Sequence, residues 1–207
     1  MTDLIITTIQ THLIWEDIDK NLNHFDEKIK LISDGSDIIV LPEMFTTGFT
    51  MNPEKHAEEH EGKSLQWMLQ KSKENKCVVI GSISINDGGK YYNRLYFTKP
   101  DGTYEYYDKR HLFQMGNEHQ YYTSGDKKLI IEYKGWKICP LVCYDLRFPV
   151  WSRNTKDNTY DVLIYVANWP EVRSYPWKQL LIARAIENQS YVVGVNRIGE
   201  DGNQVKH

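Results

Sequence analysis

Residues 137–151 read KICPLVCYDLRFPVW, an apolar run that gives way to a polar segment at Cys143. The apolar half predicts a buried strand, and Pro149 suits the first turn of a helix. A buried free cysteine is usually an inert small hydrophobe, which is our interpretation of Cys139. Cys143 instead stands where the strand meets the helix, and unpaired backbone N–H groups there favour a thiolate. The stretch predicts a nucleophile, with a structural cysteine as the alternative.

The composition of the chain limits what it can bind. Of its 207 residues, 41% are hydrophobic and 26% are charged, which is typical of a globular domain, and the net charge is −3. A weakly negative chain has no long-range attraction to nucleic acid or to anionic membranes. No stretch is long and apolar enough to predict a membrane span. We therefore expect a small-molecule partner, and neither nucleic acid nor a membrane.

The first residues and the cysteines indicate the compartment. The N-terminus, MTDLIITTIQTHLIW, has no basic leader and no small-residue cleavage site, which argues against secretion. The three cysteines are odd in number and form no C-x-x-C pair, so neither a disulfide framework nor a zinc site is expected. These features favour a cytoplasmic protein without a metal.

Strand-like and helix-like patterns alternate along the chain. The strand-like runs cover residues 4–10, 37–41, 77–85, 91–97, 129–133, 137–144, 161–168 and 191–196, several of them separated by turn sequences such as NDGG, PDGT and YKGW. The helical patterns cover residues 17–33, 64–75 and 175–188, with Ser64 as a capping residue. The sequence therefore predicts one α/β domain, residues 1–207, with a mixed sheet covered by helices.

Two further reactive side chains follow extended segments, as Cys143 does. Glu43 comes after DIIVLP, and Lys109 comes after YEYYD. Residues just past the carboxyl ends of strands tend to face a shared crevice, so the three groups can meet there. Glu43 beside apolar neighbours suits a general base, and Lys109 suits the support of an oxyanion. A solvated loop glutamate and a solvated lysine are the alternatives. We assign His111 a positioning or core role.

The segments LPEMFTTGF, YDKRHLF and CPLVCYDLRFP resemble, in that order, the motifs of the nitrilase superfamily of carbon–nitrogen hydrolases. ANWP at 167–170 and ARAIENQ at 183–189 are also similar to segments of that family. The resemblance implies an α-β-β-α sandwich of two mixed sheets and no cofactor. It implies a catalytic triad of Glu43 as base, Lys109 as oxyanion support and Cys143 as nucleophile. It further implies that Glu118, in GNEHQYY, orients the lysine.

A narrower likeness concerns the omega-amidases of the 2-oxoglutaramate type, which NEHQYYTSGD and ANWPEVRSYPW resemble. It implies hydrolysis of a small primary amide through a thioester. For substrate binding we name Tyr144 with its backbone N–H, Arg173 as a carboxylate partner, and Trp169 and Phe113 as pocket walls. A solvated loop arginine is the alternative for Arg173, and core packing is the alternative for the aromatic residues. Arg147 is expected to be structural. Hydrolysis of another small amide or a carbamoyl-amine, a silent binding scaffold, or a redox-sensing thiol protein are the alternative functions.

The sequence departs from the resembled family at its end. Members of that family usually continue past GEDGNQ with further strands, whereas this sequence stops at His207. We therefore expect that the C-terminal strands of the family fold are missing here. The resemblance also implies a homodimer.

Overall fold

The computed structural model describes residues 2–32 and 35–207. In these two ranges, ten strands form two sheets. The strands are β1 (Ile6–Thr8), β2 (Ile38–Val40), β3 (Glu58–Glu59), β4 (Val78–Asp87), β5 (Lys90–Thr98), β6 (Tyr104–Asp108), β7 (Ile131–Tyr133), β8 (Trp136–Val142), β9 (Val162–Ala167) and β10 (Tyr191–Asn196). The first sheet has the order β1-β2-β4-β5-β6 with β3 beside β4, and the second has the order β10-β9-β8-β7.

Both sheets are mixed, as predicted. In the first sheet β1, β2 and β4 run parallel, whereas β4-β5 and β5-β6 are antiparallel hairpins. In the second sheet β8, β9 and β10 run parallel, and β7 pairs with β8 as a hairpin. Gly88, Gly102 and Gly135 lie at positive φ in the hairpin turns, a backbone conformation that glycine adopts without strain. The turn sequences NDGG, PDGT and YKGW therefore mark the hairpins correctly.

Six α-helices accompany the sheets in the described part of the chain. They are α1 (Ile18–Ile29), α2 (Pro53–His56), α3 (Lys63–Asn75), α4 (Glu118–Tyr121), α5 (Pro149–Ser152) and α6 (Ser174–Asn188). Short 3₁₀ helices cover Gln114–Gly116, Cys143–Arg147 and Glu171–Arg173. Helices α3 and α6 match the predicted ones to within one residue at each end. Helix α1 begins as predicted but ends at Ile29, before the predicted end at residue 33, which lies outside the described residues. Pro149 opens α5 as expected. Across residues 2–32 and 35–207, the helices are too short and too polar for any of them to span a bilayer.

The prediction that Ser64 caps α3 is wrong. The helix begins one residue earlier, at Lys63, with Gly62 in the cap position. Ser64 is fully buried, and its backbone N–H donates to the carboxylate of Glu58 over 2.9 Å. The serine hydroxyl also donates to Glu58. A carboxylate from the preceding strand therefore satisfies the free N–H group at the helix N-terminus.

Two hydrophobic clusters define the layers. One lies between the sheets, where inward side chains such as Ile80 and Phe97 of the first sheet share a cluster with Leu141 and Ile164 of the second. The other joins the outer face of the first sheet to α1 and α3, with Phe25 at its centre. Helix α6 packs on β10 of the second sheet. The order helix, sheet, sheet, helix confirms the predicted α-β-β-α sandwich.

Candidate active site

Glu43 is held in place by the loop that follows β2. The backbone of this loop is bonded to β4, with Leu41 donating to Ile80 and Met44 donating to the Ser82 hydroxyl over 2.8 Å. Met44 takes a positive φ of 41°, which turns the chain sharply beside the glutamate. The side chain of Glu43 is 0% exposed, so the carboxylate points into the protein and not to water.

Lys109 joins two carboxylates at the end of β6. Its Nζ lies 2.8 Å from Glu43 Oε1 and 2.9 Å from Glu118 Oε2, and all three side chains are fully buried. Glu118 is the first residue of α4, and its Oε2 also accepts the Phe113 backbone N–H over 2.6 Å. We call Glu43, Lys109 and Glu118 the charged floor. The structure thus brings together three predicted residues that lie up to 75 positions apart in sequence.

The charges of the floor decide its protonation. Burial by itself lowers the pKa of Lys109, but the negative charges of Glu118 and Glu43 outweigh burial and hold that pKa above its ordinary value. Burial raises the pKa of Glu118, Lys109 opposes the rise, and Glu43 adds to it. The lysine is therefore a stable ammonium, and its three N–H donors serve two carboxylates.

Cys143 follows β8 directly, as the sequence predicts. It starts the 3₁₀ helix Cys143–Arg147 at a φ of 43°, a left-handed conformation that non-glycine residues rarely adopt. Backbone strain of this kind is common at functional sites. The residue is 8% exposed and lines the cavity described below.

The expectation that backbone N–H groups favour a thiolate at Cys143 is wrong for the resting protein. Burial raises the pKa of the Cys143 thiol well above its ordinary value, the negative charge of Glu43 raises it further, and Lys109 opposes the rise only in part. The thiol is therefore protonated at neutral pH. A nucleophile in this state needs a base next to it, and Glu43 is the carboxylate whose charge acts on it most strongly.

Asp145 connects the segment around Cys143 to the segment around Lys109 by hydrogen bonds. Its buried carboxylate accepts the Tyr107 hydroxyl over 2.8 Å and the backbone N–H of Val142 over 3.1 Å. It also accepts the backbone N–H of His111 over 2.9 Å and lies 2.8 Å from His111 Nδ1. His111 stacks on Phe148 with ring centroids 3.7 Å apart. These contacts agree with a positioning role for His111.

A cavity of ≈ 370 Å³ opens above Cys143. All four residues named for substrate binding line it: Tyr144, Arg173, Trp169 and Phe113. Phe113 and Tyr144 meet edge to face at 5.1 Å between ring centroids. A volume of this size accommodates a small organic molecule and is too narrow for a folded protein partner.

Arg147 also lines the cavity, although the sequence favoured a structural role for it. Its guanidinium lies 4.9 Å from the centre of the Trp169 ring, and that of Arg173 lies 5.5 Å from the centre of the Phe113 ring. Within residues 2–32 and 35–207, neither guanidinium has a carboxylate partner or a hydrogen-bond acceptor. We call Arg147 and Arg173 the arginine wall. Two unpaired guanidinium groups beside one cavity favour an anionic ligand.

Two asparagines at the site were not predicted from the sequence. Asn168 of ANWP donates its backbone N–H to Glu43 Oε2 over 2.8 Å, and its side-chain amide donates to the Glu43 backbone carbonyl. Asn93 of β5 donates to Glu43 Oε1 over 2.8 Å and to Glu118 Oε1 over 3.2 Å. The available signal was a polar residue inside an apolar or aromatic strand, YYNRLYF and IYVAN. A carboxylate that accepts this many N–H donors is fixed in orientation.

No metal site accompanies these groups in the described ranges. Among residues 2–32 and 35–207, no three or more His, Cys, Asp or Glu side chains are arranged to hold a metal ion.

Comparison with known proteins agrees with this geometry. The carbon-nitrogen hydrolase family model matches residues 5–206. The chain is 49% identical to Omega-amidase YafV of Escherichia coli K12 over 203 residues, covering 98% of this chain and 78% of that protein. It is 35% identical to 2-oxoglutaramate amidase of Bacillus subtilis, covering 95% of this chain and 77% of that protein.

A solved structure shares the fold closely. XC1258 of Xanthomonas campestris, a CN-hydrolase superfamily protein with an arsenic adduct in its active site, superposes with a TM-score of 0.97. It is 42% identical, and the alignment covers 100% of this chain and 80% of that one. The matched family model, the relatives and the fold agree, and the chain belongs to the carbon–nitrogen hydrolase family.

Proposed function

We propose that this carbon–nitrogen hydrolase is an omega-amidase that releases ammonia from small 2-oxo acid amides such as 2-oxoglutaramate. The observation that carries the proposal is the buried ammonium of Lys109, paired with Glu43 and Glu118 beneath a cavity that Cys143 lines. The similarity to an omega-amidase and to a 2-oxoglutaramate amidase supports the choice of substrate.

In the proposed reaction the thiol of Cys143 first gives its proton to Glu43. The sulfur then attacks the amide carbon, and the carbonyl oxygen becomes an oxyanion. The Lys109 ammonium and the backbone N–H of Tyr144 stabilise that charge, and one donor of this kind typically contributes about 10²–10³-fold in rate. The raised pKa of the thiol makes this first proton transfer necessary, because little thiolate exists beforehand.

Glu43 then returns the proton to the amide nitrogen. The C–N bond breaks, ammonia leaves, and a thioester joins the acyl group to Cys143. Water attacks the thioester while Glu43 takes one of its protons. The C–S bond breaks, the sulfur is protonated again, and the carboxylic acid departs. Glu118 holds the ammonium in place throughout, since it contacts Lys109 through both carboxylate oxygens, at 3.1 and 2.9 Å.

The arginine wall supplies the preference for an acidic amide. A 2-oxo acid amide carries a carboxylate at the end opposite to the reacting amide. Arg147 and Arg173 line the same cavity as Cys143 and hold no protein carboxylate in the described chain, so their charge is free for the substrate. The Trp169 and Phe113 rings lie against the Arg147 and Arg173 guanidinium groups, and such cation–π contacts are favourable.

A substrate panel tests this function. We expect ammonia release from 2-oxoglutaramate to exceed release from glutamine, from a neutral aliphatic amide and from a carbamoyl-amine. Cys143→Ala serves as the inactive control. Faster hydrolysis of the neutral amide or of the carbamoyl-amine would assign a different substrate to the same triad. No ammonia from any amide, despite stoichiometric alkylation of Cys143 by iodoacetamide, would favour a binding protein.

We further propose that the enzyme pairs with a second copy of itself. Helix α6 leaves apolar side chains exposed at the spacing of one helix face: Tyr175 at 75%, Ile182 at 54% and Ile186 at 72%. Apolar surface of this kind on one face commonly marks an interface. Light scattering that gives twice the chain mass supports the homodimer, and a monomer at micromolar concentration contradicts it.

We also propose a cytosolic location. Cys77, Cys139 and Cys143 are all free thiols, and a reducing compartment keeps them so. Fractionation of cells that produce the protein would test this, since activity in an extracellular fraction is incompatible with it.

A further inference from the structure

Asn93 is a fully buried polar residue in the middle of β5 that no part of the proposed reaction uses. Its side-chain amide donates to Glu43 Oε1 over 2.8 Å and to Glu118 Oε1 over 3.2 Å. Its backbone carbonyl accepts the backbone N–H of Lys109 over 3.0 Å. One residue on a rigid strand therefore contacts all three members of the charged floor.

The orientation of this amide is set by the carboxylates. Asn93 Nδ2 faces two acceptors, whereas Oδ1 has no hydrogen-bond partner within residues 2–32 and 35–207. A buried carbonyl oxygen without a partner is unfavourable. The contacts of the NH₂ group with the two glutamates compensate for it, because hydrogen bonds to charged groups are about twice as strong as neutral ones. An apolar side chain at position 93 would avoid the unpaired oxygen, but it would lose the hydrogen bonds to Glu43 and Glu118.

We propose that Asn93 is a positioning residue of the amidase reaction, whose amide group keeps Glu43 and Glu118 at a fixed separation around Lys109. Lys109 attracts both carboxylates to one point, and the two negative charges repel each other across it. The uncharged amide of Asn93 donates to Oε1 of both glutamates, the same two atoms that Lys109 contacts. These hydrogen bonds fix the direction in which the Glu43 carboxylate faces Cys143. This inference rests on the proposed function of Glu43 as the base.

The electrostatic consequence can be measured. Hydrogen bonds to a carboxylate favour its charged form, so removal of the Asn93 donors raises the pKa of Glu118 beyond the rise that burial already causes. The titratable groups around Asn93 are Glu43 after β2, Lys109 after β6, Glu118 and Tyr122 at the two ends of α4, and Cys143 after β8. A protonated Glu118 no longer pairs its negative charge with the Lys109 ammonium, so the arrangement around the lysine is disturbed at a higher pH than in the wild-type protein. The acid limb of the rate profile then moves upward.

The test compares Asn93→Ala and Asn93→Asp with a matched control, Ser84→Ala. Ser84 is the residue directly opposite Asn93 on β4, is equally buried, and loses one hydrogen bond to Tyr122 when it is truncated. We expect kcat for ammonia release to fall about 10²-fold in Asn93→Ala, the size of effect that misplacement of a reacting group produces, with KM changed little. The acid limb should move to higher pH, and further in Asn93→Asp because a like charge is added. Ser84→Ala should keep the wild-type profile.

Two results would overturn the inference. The first is a folded Asn93→Ala or Asn93→Asp protein with wild-type kcat and an unmoved acid limb. The second is a loss of kcat in both the Asn93 variants and Ser84→Ala with no movement of the acid limb in any of them, which would indicate a merely structural role. Asn93→Asp has nearly the shape of the native side chain, so it keeps the test open if the alanine variant fails to fold.

A second readout separates this inference from the proposed substrate. The rate of Cys143 alkylation by iodoacetamide, followed against pH by intact mass, requires no amide. If the wild-type protein releases no ammonia from the panel, the proposed function fails. A changed pH dependence of alkylation in the Asn93 variants, with Ser84→Ala unchanged, would then still support the positioning role. An unchanged dependence in all variants would contradict it.

Discussion

The charged floor and the arginine wall border the same cavity, yet they are built in opposite ways. Lys109 in the floor is fully buried and paired with two carboxylates, which accept further N–H donors from Asn93, Phe113 and Asn168. The guanidinium groups of Arg147 and Arg173 in the wall lie over aromatic rings and have no carboxylate partner within the described chain. Charged side chains that are paired with other protein groups have a fixed position, which favours a role in catalysis. Charges that the protein leaves unpaired suit binding of a ligand.

The first prediction concerns removal of the Cys143 sulfur, the proposed nucleophile, on which the proposed roles of both regions depend. Cys143→Ala should reduce ammonia release by about 10⁴-fold or more, because no other group supplies the nucleophile. The thermal unfolding midpoint should remain close to that of the wild-type protein, since only a sulfur at the edge of the cavity is lost. Ammonia release near the wild-type rate from this variant would rule out Cys143 as the nucleophile.

The second prediction concerns the charged floor alone and replaces its cation, Lys109. Lys109→Met should lower kcat by about 10²–10³-fold through loss of the oxyanion donor. It should also lower the free energy of unfolding by about 3–5 kcal/mol, because two carboxylates stay buried without their cation. The ammonia assay measures the first effect, and urea unfolding measures the second.

The pH dependence of that stability loss has a definite sign. Without Lys109, burial and mutual repulsion raise the pKa of Glu118 further above its unfolded value. The folded state then binds more protons than the unfolded state, so stability falls as pH rises from the unfolded pKa towards the folded one. Lys109→Met should therefore be closer to wild type at pH 5 than at pH 8. Lys109→Met with Glu118→Gln should recover stability at pH 8 but not activity, whereas equal losses at both pH values would contradict this account.

The third prediction addresses the wall. Arg147→Leu and Arg173→Leu should each raise KM for 2-oxoglutaramate by about 10- to 100-fold, the value of one charge-assisted contact, and leave kcat and the unfolding midpoint nearly unchanged. The matched measurement is KM for a neutral aliphatic amide, which should not rise. If KM rises equally for both substrates, the arginines shape the cavity and do not bind a carboxylate.

The two regions also differ in how far the sequence predicts them. Glu43, Lys109 and Cys143 each follow an extended apolar or aromatic run, and strands that end at one edge bring such residues together. Their meeting could therefore be predicted from local patterns together with the family resemblance. Asn93 was missed because its partners are the two glutamates, which approach it from other parts of the chain. A single polar residue in a strand does not indicate such distant partners.

The protonation of Cys143 was missed for a similar reason. Its place at the start of a helical turn suggested a thiolate, which local backbone N–H groups would favour. The depth of burial and the nearness of Glu43 depend on how both sheets pack, and they outweigh that local effect. Arg147 was assigned to the turn on the same local grounds, while the orientation of its guanidinium over Trp169 is a tertiary contact. Local sequence patterns therefore could not predict properties of side chains that depend on tertiary packing.

The smallest expected effect concerns a hairpin near residue 202 that lines the same cavity as the arginine wall. Residues Asp201, Asn203, Val205 and His207 line the cavity from a hairpin in which Asp201 accepts the backbone N–H groups of Asn203 and Val205.

A Cβ atom added at Gly202 would lie 2.4 Å from the indole ring of Trp15, so the hairpin or the ring must shift in Gly202→Ala. Movement of this hairpin, which lines the same cavity as the arginine wall, should raise KM for 2-oxoglutaramate by less than either arginine variant does. It should leave kcat unchanged, since the floor is anchored on β5 and β6. Gly88→Ala, at a hairpin turn where the added methyl group meets no atom within 4 Å, provides the control for a glycine substitution that causes no steric clash. A fall of kcat in Gly202→Ala alone would show that floor and wall are coupled, and would contradict the division of chemistry from binding.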